Sequence, residues 1–158
     1  MYEIFADLHI HIGRSENGKP IKITGARSLN FANIAKECCE RKGIQVAGII
    51  DCASPYVIED IENFLKTGDA YELKDGGIIY KDKVCILLGS EVETSEKGRN
   101  GKSGSAHNVC FFPYLKDIKG FSNELSHHVK NVTLSTQRSD LSGYDLVDIV
   151  EKYNGIVI

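Results

Sequence analysis

The sequence predicts an α/β fold, and three features carry that prediction. Short apolar runs alternate with segments whose apolar residues recur at helical spacing, and turn residues separate the two kinds of segment. The runs at 45–51 ("QVAGIID") and 84–91 ("VCILLGSE") are apolar nearly throughout, as strands of a parallel sheet covered on both faces are. At 158 residues and 42% hydrophobic content, the chain is long enough for one domain with a substantial core.

The elements follow in order. Residues 4–7 read as a first strand, and a loop containing Gly13, Gly18 and Pro20 follows. Asn30 is placed to cap a helix in which Phe31, Ile34, Ala35 and Cys38 share a face until Gly43 stops it. The strand at 45–51 comes next and ends on Asp51. Ser54-Pro55 then supplies an N-cap with proline at the first helical position, and Val57, Ile58, Ile61, Phe64 and Leu65 form the apolar face before Gly68. Residues 69–82 read as a hairpin around Gly76-Gly77, and the strand at 84–91 ends on Glu91. The stretch "TSEKGRNGKSGSA" (94–106) reads as a mobile loop, after which "HNVCFF" opens a strand at His107. Helical patterns fall near 117–128 and 141–153, with "NVTLS" between them, and "GIVI" reads as a terminal buried strand. No internal repeat is visible.

Composition narrows the function. A net charge of -3 and a pI near 5.9 argue against a broad basic surface that grips phosphate backbones. The five cysteines form no CxxC pair and are odd in number, so a disulfide framework is not expected. With no signal peptide ahead of Met1-Tyr2-Glu3-Ile4, a reducing cytoplasm fits best. The apolar runs are too short to span a bilayer, and no membrane partner is expected.

The chemistry gathers at strand ends. In "FADLHIHIG" (5–13), Asp7, His9 and His11 alternate along an extended chain and so share one face. An apolar strand that commits two imidazoles to one face needs a partner there, because burying them unpaired is costly. Together with Asp51, Glu91 and His107 they make a mixed N/O donor set suited to zinc, manganese or iron. Glu91 is placed to bridge two ions. For Asp51 the plainer role of capping the following helix is open, and Glu91 and His107, taken singly, fit structural roles equally well. Asp7 is expected to sit behind the ligands, accepting a proton from an imidazole and fixing its tautomer. Glu93 shares the face of Glu91 or is solvated. His127-His128 is expected at the surface, since adjacent residues on a helix do not face one another. Cys52 is expected to fill core.

These residues resemble the PHP family, named for polymerase and histidinol phosphatase domains: HxH after a first strand ("DLHIH"), an aspartate after a second ("GIIDC"), a G-x-E element ("GSE") and a histidine opening a strand ("HNVCFF"). The resemblance implies the N-terminal portion of a distorted (β/α)7 barrel, with residues 1–158 forming an incomplete PHP-like domain. It also implies two or three divalent ions at the complete site and hydrolysis of phosphoesters. The longer stretches "ADLHIHIGR", "GKPIKITGA", "GIIDCASP", "LLGSEVE", "LSTQR" and "GIVI" are similar to the N-terminal part of bacterial endonuclease Q proteins. Those enzymes cut DNA beside deaminated bases or abasic sites. Two departures accompany the likeness. Cys52 stands near where the family has a histidine, and the family's further histidine and Asp-x-His element would lie past Ile158.

The expected function is therefore metal-dependent phosphodiester hydrolysis of DNA by the longer parent. Little or no activity is expected of these 158 residues alone. Arg14, Gln137 and Arg138 are candidate phosphate or DNA contacts. A small-molecule phosphatase of the histidinol-phosphate type would share the metals. A non-catalytic module that self-associates through its exposed terminal strand is the alternative outside enzymology.

Overall fold

Residues 84–97 form the longest described element, a strand whose apolar first part (84–88) runs on into a more polar second part and so serves several neighbours. The structure is a computed structural model describing residues 3–97 and 101–158. Strand β1 (Ala6–Ile10) pairs in parallel with β2 (Val46–Ile49), which pairs in parallel with β5 (Val84–Lys97). The hairpin β3 (Ala70–Glu72) and β4 (Ile78–Tyr80) joins β5 antiparallel, and so does β6 (Ser103–Phe112), which carries the short β7 (Ile156–Val157). Ile86 pairs with both Ala47 and Ile78, and Leu88 with both Ile49 and Phe112. Strands β4 and β6 therefore lie end to end on the side of β5 opposite β2. The expected parallel sheet is thus realised only in β1, β2 and β5, and the seven described strands form an open, mixed sheet.

The helices follow the sequence pattern closely. Helix α1 (Phe31–Glu37) starts where the Asn30 side chain accepts the Asn33 N–H, then widens into a π-helical turn at Cys38–Lys42 that Gly43 ends at φ 65°. Helix α2 (Pro55–Lys66) begins at Ser54-Pro55, but the Ser54 hydroxyl caps nothing and donates instead to the Thr133 carbonyl at 2.8 Å. Helices α3 (Leu115–Leu125) and α4 (Gly143–Lys152) occupy the two remaining helical patterns, and Ser142 with Asp145 closes a capping box on α4. Their apolar faces pack on the sheet through Ile118, Phe121, Leu146 and Val150, all buried with Ile49, Ile86 and Leu88. Among the described residues no helix is long and apolar enough to cross a membrane.

Two expectations change. The loop expected at 94–106 is largely a hairpin, since pairing runs without a break from Thr94↔Ala106 to Lys97↔Ser103. Small polar residues made that stretch look unstructured, yet Thr94 is fully buried and its backbone is held by the ladder. The middle of the expected loop, 98–100, lies outside the described residues, as do Met1 and Tyr2 of the expected leaderless start. "NVTLS", which lies between the two helical patterns, is a loop held partly by the Ser135 N–H on the Ile21 carbonyl at 3.0 Å. The terminal strand is not buried: Ile156 is 61% and Ile158 72% exposed. These two residues, with Leu8, Leu87 and Phe111, line an open apolar hollow of about 340 Å³.

Candidate metal centre

Strand β1 delivers the two imidazoles, but not by simple alternation. Its register with β2 shifts between Asp7 and Ile10, and a shift of that kind re-aims the side chains on either side of it. Asp7 and Ile10, three residues apart, consequently line one cavity beside α1, away from the imidazoles. The chain then passes through buried Ile12, whose N–H donates to the Asp51 carboxylate at 2.6 Å, and through Gly13. A Cβ on Gly13 would lie 2.1 Å from the Ala26 carbonyl oxygen, so only glycine lets the 14–29 segment fold back against it.

One donor atom from each of His9, His11 and Glu91 lies within 4.8 Å of the others. His9 Nε2 is 3.6 Å from Glu91 Oε1, and His11 Nε2 is 3.6 Å from Glu91 Oε2. The two rings meet edge to face, their centroids 5.2 Å apart. His107 Nδ1 approaches Glu91 Oε1 at 3.3 Å from β6, diagonal to it in the ladder. Behind His11, the Asp51 carboxylate lies 3.1 and 3.2 Å from Nδ1. The Thr136 hydroxyl donates to Glu91 Oε2 at 2.6 Å, and the Ser135 hydroxyl donates to Asp51. Lys22 Nζ stands 2.6 Å from His11 Nε2.

Electrostatics set the protonation states. Burial is the largest influence on Glu91 and pushes its carboxyl up, but hydrogen bonds from Thr136 and His107 and the charges of His11 and His107 outweigh it. The net result is a carboxyl below its ordinary value, hence an anion ready to face a cation. The Asp51 carboxylate beside Nδ1 favours a proton there, which leaves Nε2 as the nitrogen that faces the cluster. Burial pushes the Cys52 thiol well above its ordinary value, and its Sγ donates to the Ile49 carbonyl at 3.1 Å.

The structure thus gathers His9, His11 and Glu91, sets His107 against Glu91, and places Asp51 behind His11. Asp7 does not reach an imidazole; its carboxylate accepts the His9 backbone N–H at 3.1 Å, and Asp51 holds the position expected of Asp7. Glu93 lies 3.8 Å from the Arg138 guanidinium. Arg14 donates to the Gly18 carbonyl at 2.8 Å, while Gln137 lines a small hollow with Asp51, Glu91 and Thr136. His127 is exposed, and His128 pairs with Asp140 at 2.9 Å. Lys22, Ser135 and Thr136 carried no expected role, although each lies in a stretch that drew the family resemblance, "GKPIKITGA" or "LSTQR". Two imidazole nitrogens and an ionised carboxylate converging within a few ångströms make a donor set that could hold a metal ion.

No family model matches the chain. The chain is 45% identical, over all 158 residues, to "Uncharacterized protein YqxK" of Bacillus subtilis (strain 168), of which it spans 40% of the length. Two crystal structures share its fold. One is Endonuclease Q in complex with a 27-mer duplex substrate carrying an abasic lesion at the active site, with TM-score 0.69 and 20% identity, covering 96% of this chain and 33% of that one. The other is the lesion-specific endonuclease PfuEndoQ from Pyrococcus furiosus, with TM-score 0.70 and 19% identity, covering 98% of this chain and 33% of that one.

Proposed function

We propose that the chain is the N-terminal part of a metal-dependent phosphodiesterase that cuts DNA at deaminated bases or abasic sites, with residues 1–158 forming a portion of a PHP-type barrel. The observation that carries this reading is the His9/His11/Glu91 cluster, set on a fold shared with about a third of Endonuclease Q. A divalent ion held there would supply charge neutralisation at a phosphoryl group and acidify a water molecule.

The protein's own residues have separable tasks. His9, His11 and Glu91 supply donors. Asp51 fixes the His11 tautomer so that Nε2 is free to ligate, the usual role of a carboxylate behind a metal-bound imidazole. Thr136 and His107 hold Glu91 ionised and oriented. Gln137, which lines a hollow with Asp51 and Glu91, and the arginines Arg14 and Arg138 are the candidate contacts for the nucleic-acid backbone. Recognition of the lesion would draw on the low cost of unstacking a base whose pairing is already weak.

The test is metal content by plasma mass spectrometry on protein purified without chelator, beside a His9→Ala/His11→Ala double variant. Stoichiometric zinc, manganese or iron in the wild type, lost in the variant, is the expected result. Equal and negligible metal in both would sink the reading. Cleavage of duplex DNA carrying one deoxyuridine, one deoxyinosine or one abasic site, by a chain extended to the length of its Bacillus relative, then tests the substrate. A small phosphate monoester consumed in preference to all three would point to a phosphatase instead.

A further inference from the structure

We infer that Lys22 is a working residue of this site: its ammonium competes with a metal ion for the ligand lone pair of His11, and where the ion takes that position the ammonium turns to the anionic oxygens of the substrate. The inference rests on the metal-centre reading above. Its observation is the 2.6 Å contact between Lys22 Nζ and His11 Nε2, with Asp51 already on the opposite nitrogen of the same ring. A proton held at Nδ1 leaves one lone pair at Nε2, and an ammonium and a metal ion both require it. They cannot hold it together.

The lysine is built into this place. Its own N–H donates to the Ile12 carbonyl at 3.0 Å, the Ile21 N–H to the Gly13 carbonyl at 3.0 Å, and its carbonyl accepts the Gly25 N–H at 2.8 Å. The Ser135 N–H on Ile21 ties the same segment to the loop that carries Thr136. With the backbone fixed beside His11, a displaced ammonium moves only as far as its four-carbon stem allows and stays at the rim of the cluster.

The acids within reach are then already engaged. Glu91 faces the ion and accepts from Thr136, and Asp51 is taken by His11, the Ile12 N–H and Ser135. The negative charge left for the ammonium is the one that arrives with the substrate, the non-bridging oxygens of a phosphoryl group. The other candidate cations are less well placed: Arg14 is turned to the Gly18 carbonyl and Arg138 to Glu93.

The experiment is a manganese titration of the metal-free chain, read by the electron paramagnetic resonance of free Mn²⁺, with and without inorganic phosphate, on wild type, Lys22→Met and Lys22→Gln. Removing the internal competitor should tighten Mn²⁺ binding about tenfold in phosphate-free buffer, the equivalent of one charge-assisted hydrogen bond of ~1.4 kcal/mol. Phosphate should tighten Mn²⁺ binding to the wild type and lose that effect in both variants. Matching circular dichroism and unfolding midpoints, together with agreement between the two variants, separate this result from misfolding. Equal Mn²⁺ affinity in all three proteins, or phosphate acting equally on all three, overturns the role of Lys22 and leaves the metal centre standing. No Mn²⁺ binding by any of them removes both.

Discussion

The two halves of β5 share one backbone and live in different surroundings. In the first half, Val84, Ile86 and Leu88 are buried, and pairing partners on both sides come from β2, β4 and the end of β6. In the second half β6 remains on one side, but the other is filled by loops, through Asp51 opposite Ser90, Arg138 opposite Glu93, and the Ser95 N–H on the Leu141 carbonyl. Glu91 and Thr94 are buried there among side-chain donors and acceptors. A flanking strand seals a sheet with backbone alone, whereas a flanking loop brings side chains of its own. That is where a buried carboxylate can be afforded and a site can form.

Variants on either half should break different properties. Ile86→Ala, in the sealed half, is expected to cost about 2–5 kcal/mol of stability by leaving a cavity, visible as a large fall in the urea midpoint. Metal stoichiometry of the folded fraction should stay unchanged. Glu91→Gln, in the loop-flanked half, should weaken metal binding about a hundredfold, ~2.7 kcal/mol, while the midpoint moves little; a loss of stability comparable to that of Ile86→Ala would erase the distinction. Asp51→Asn, which leaves the ligands but not the anion behind His11, should weaken metal binding about tenfold by competition with a chelating dye.

A second buried acid sharpens the contrast at the smallest scale. Asp60 in α2 is 1% exposed and accepts the Glu16 N–H at 2.9 Å, where Glu91 has Thr136 and His107 with two further imidazoles near it. Burial pushes the Asp60 carboxyl up to about 6, and the nearby Glu16 and Glu59 charges add to it. A carboxyl raised in the folded state contributes stability that is fully present below the unfolded value near 3.8 and lost as pH rises through about 6. Asp60→Asn should therefore unfold at a somewhat higher temperature than wild type at pH 8, with the difference closing near pH 4. A constant difference across that range would place the effect elsewhere than in this ionisation.

What the sequence disclosed follows from which interactions are local. The convergence of His9, His11 and Glu91 was legible because each sits at the edge of an apolar run, where a polar side chain asks to be explained, whereas Asp51, expected among the ligands, lies against His11 Nδ1. Helices α1 and α2 were legible from Asn30, Gly43 and Ser54-Pro55. Asp7 misled, because a register shift has no signature in a period-two pattern. Lys22, Ser135 and Thr136 were silent in their roles, since they reach the cluster from loops 45 to 124 residues away from their partners or, for Lys22, through a chain reversal at Gly13. Residues 94–106 were read as loop from composition, while the ladder that orders them is a matter of pairing.

The hollow formed by Leu8, Leu87, Phe111, Ile156 and Ile158 has a consequence at the bench. Water-facing apolar surface of this kind adheres to phenyl-substituted resin and is driven together by salts excluded from protein surfaces. The chain should therefore elute late from a hydrophobic-interaction column and salt out at low ammonium sulfate. Ile156→Lys with Ile158→Lys, placing two charges on the exposed rim of the hollow, should reverse both behaviours.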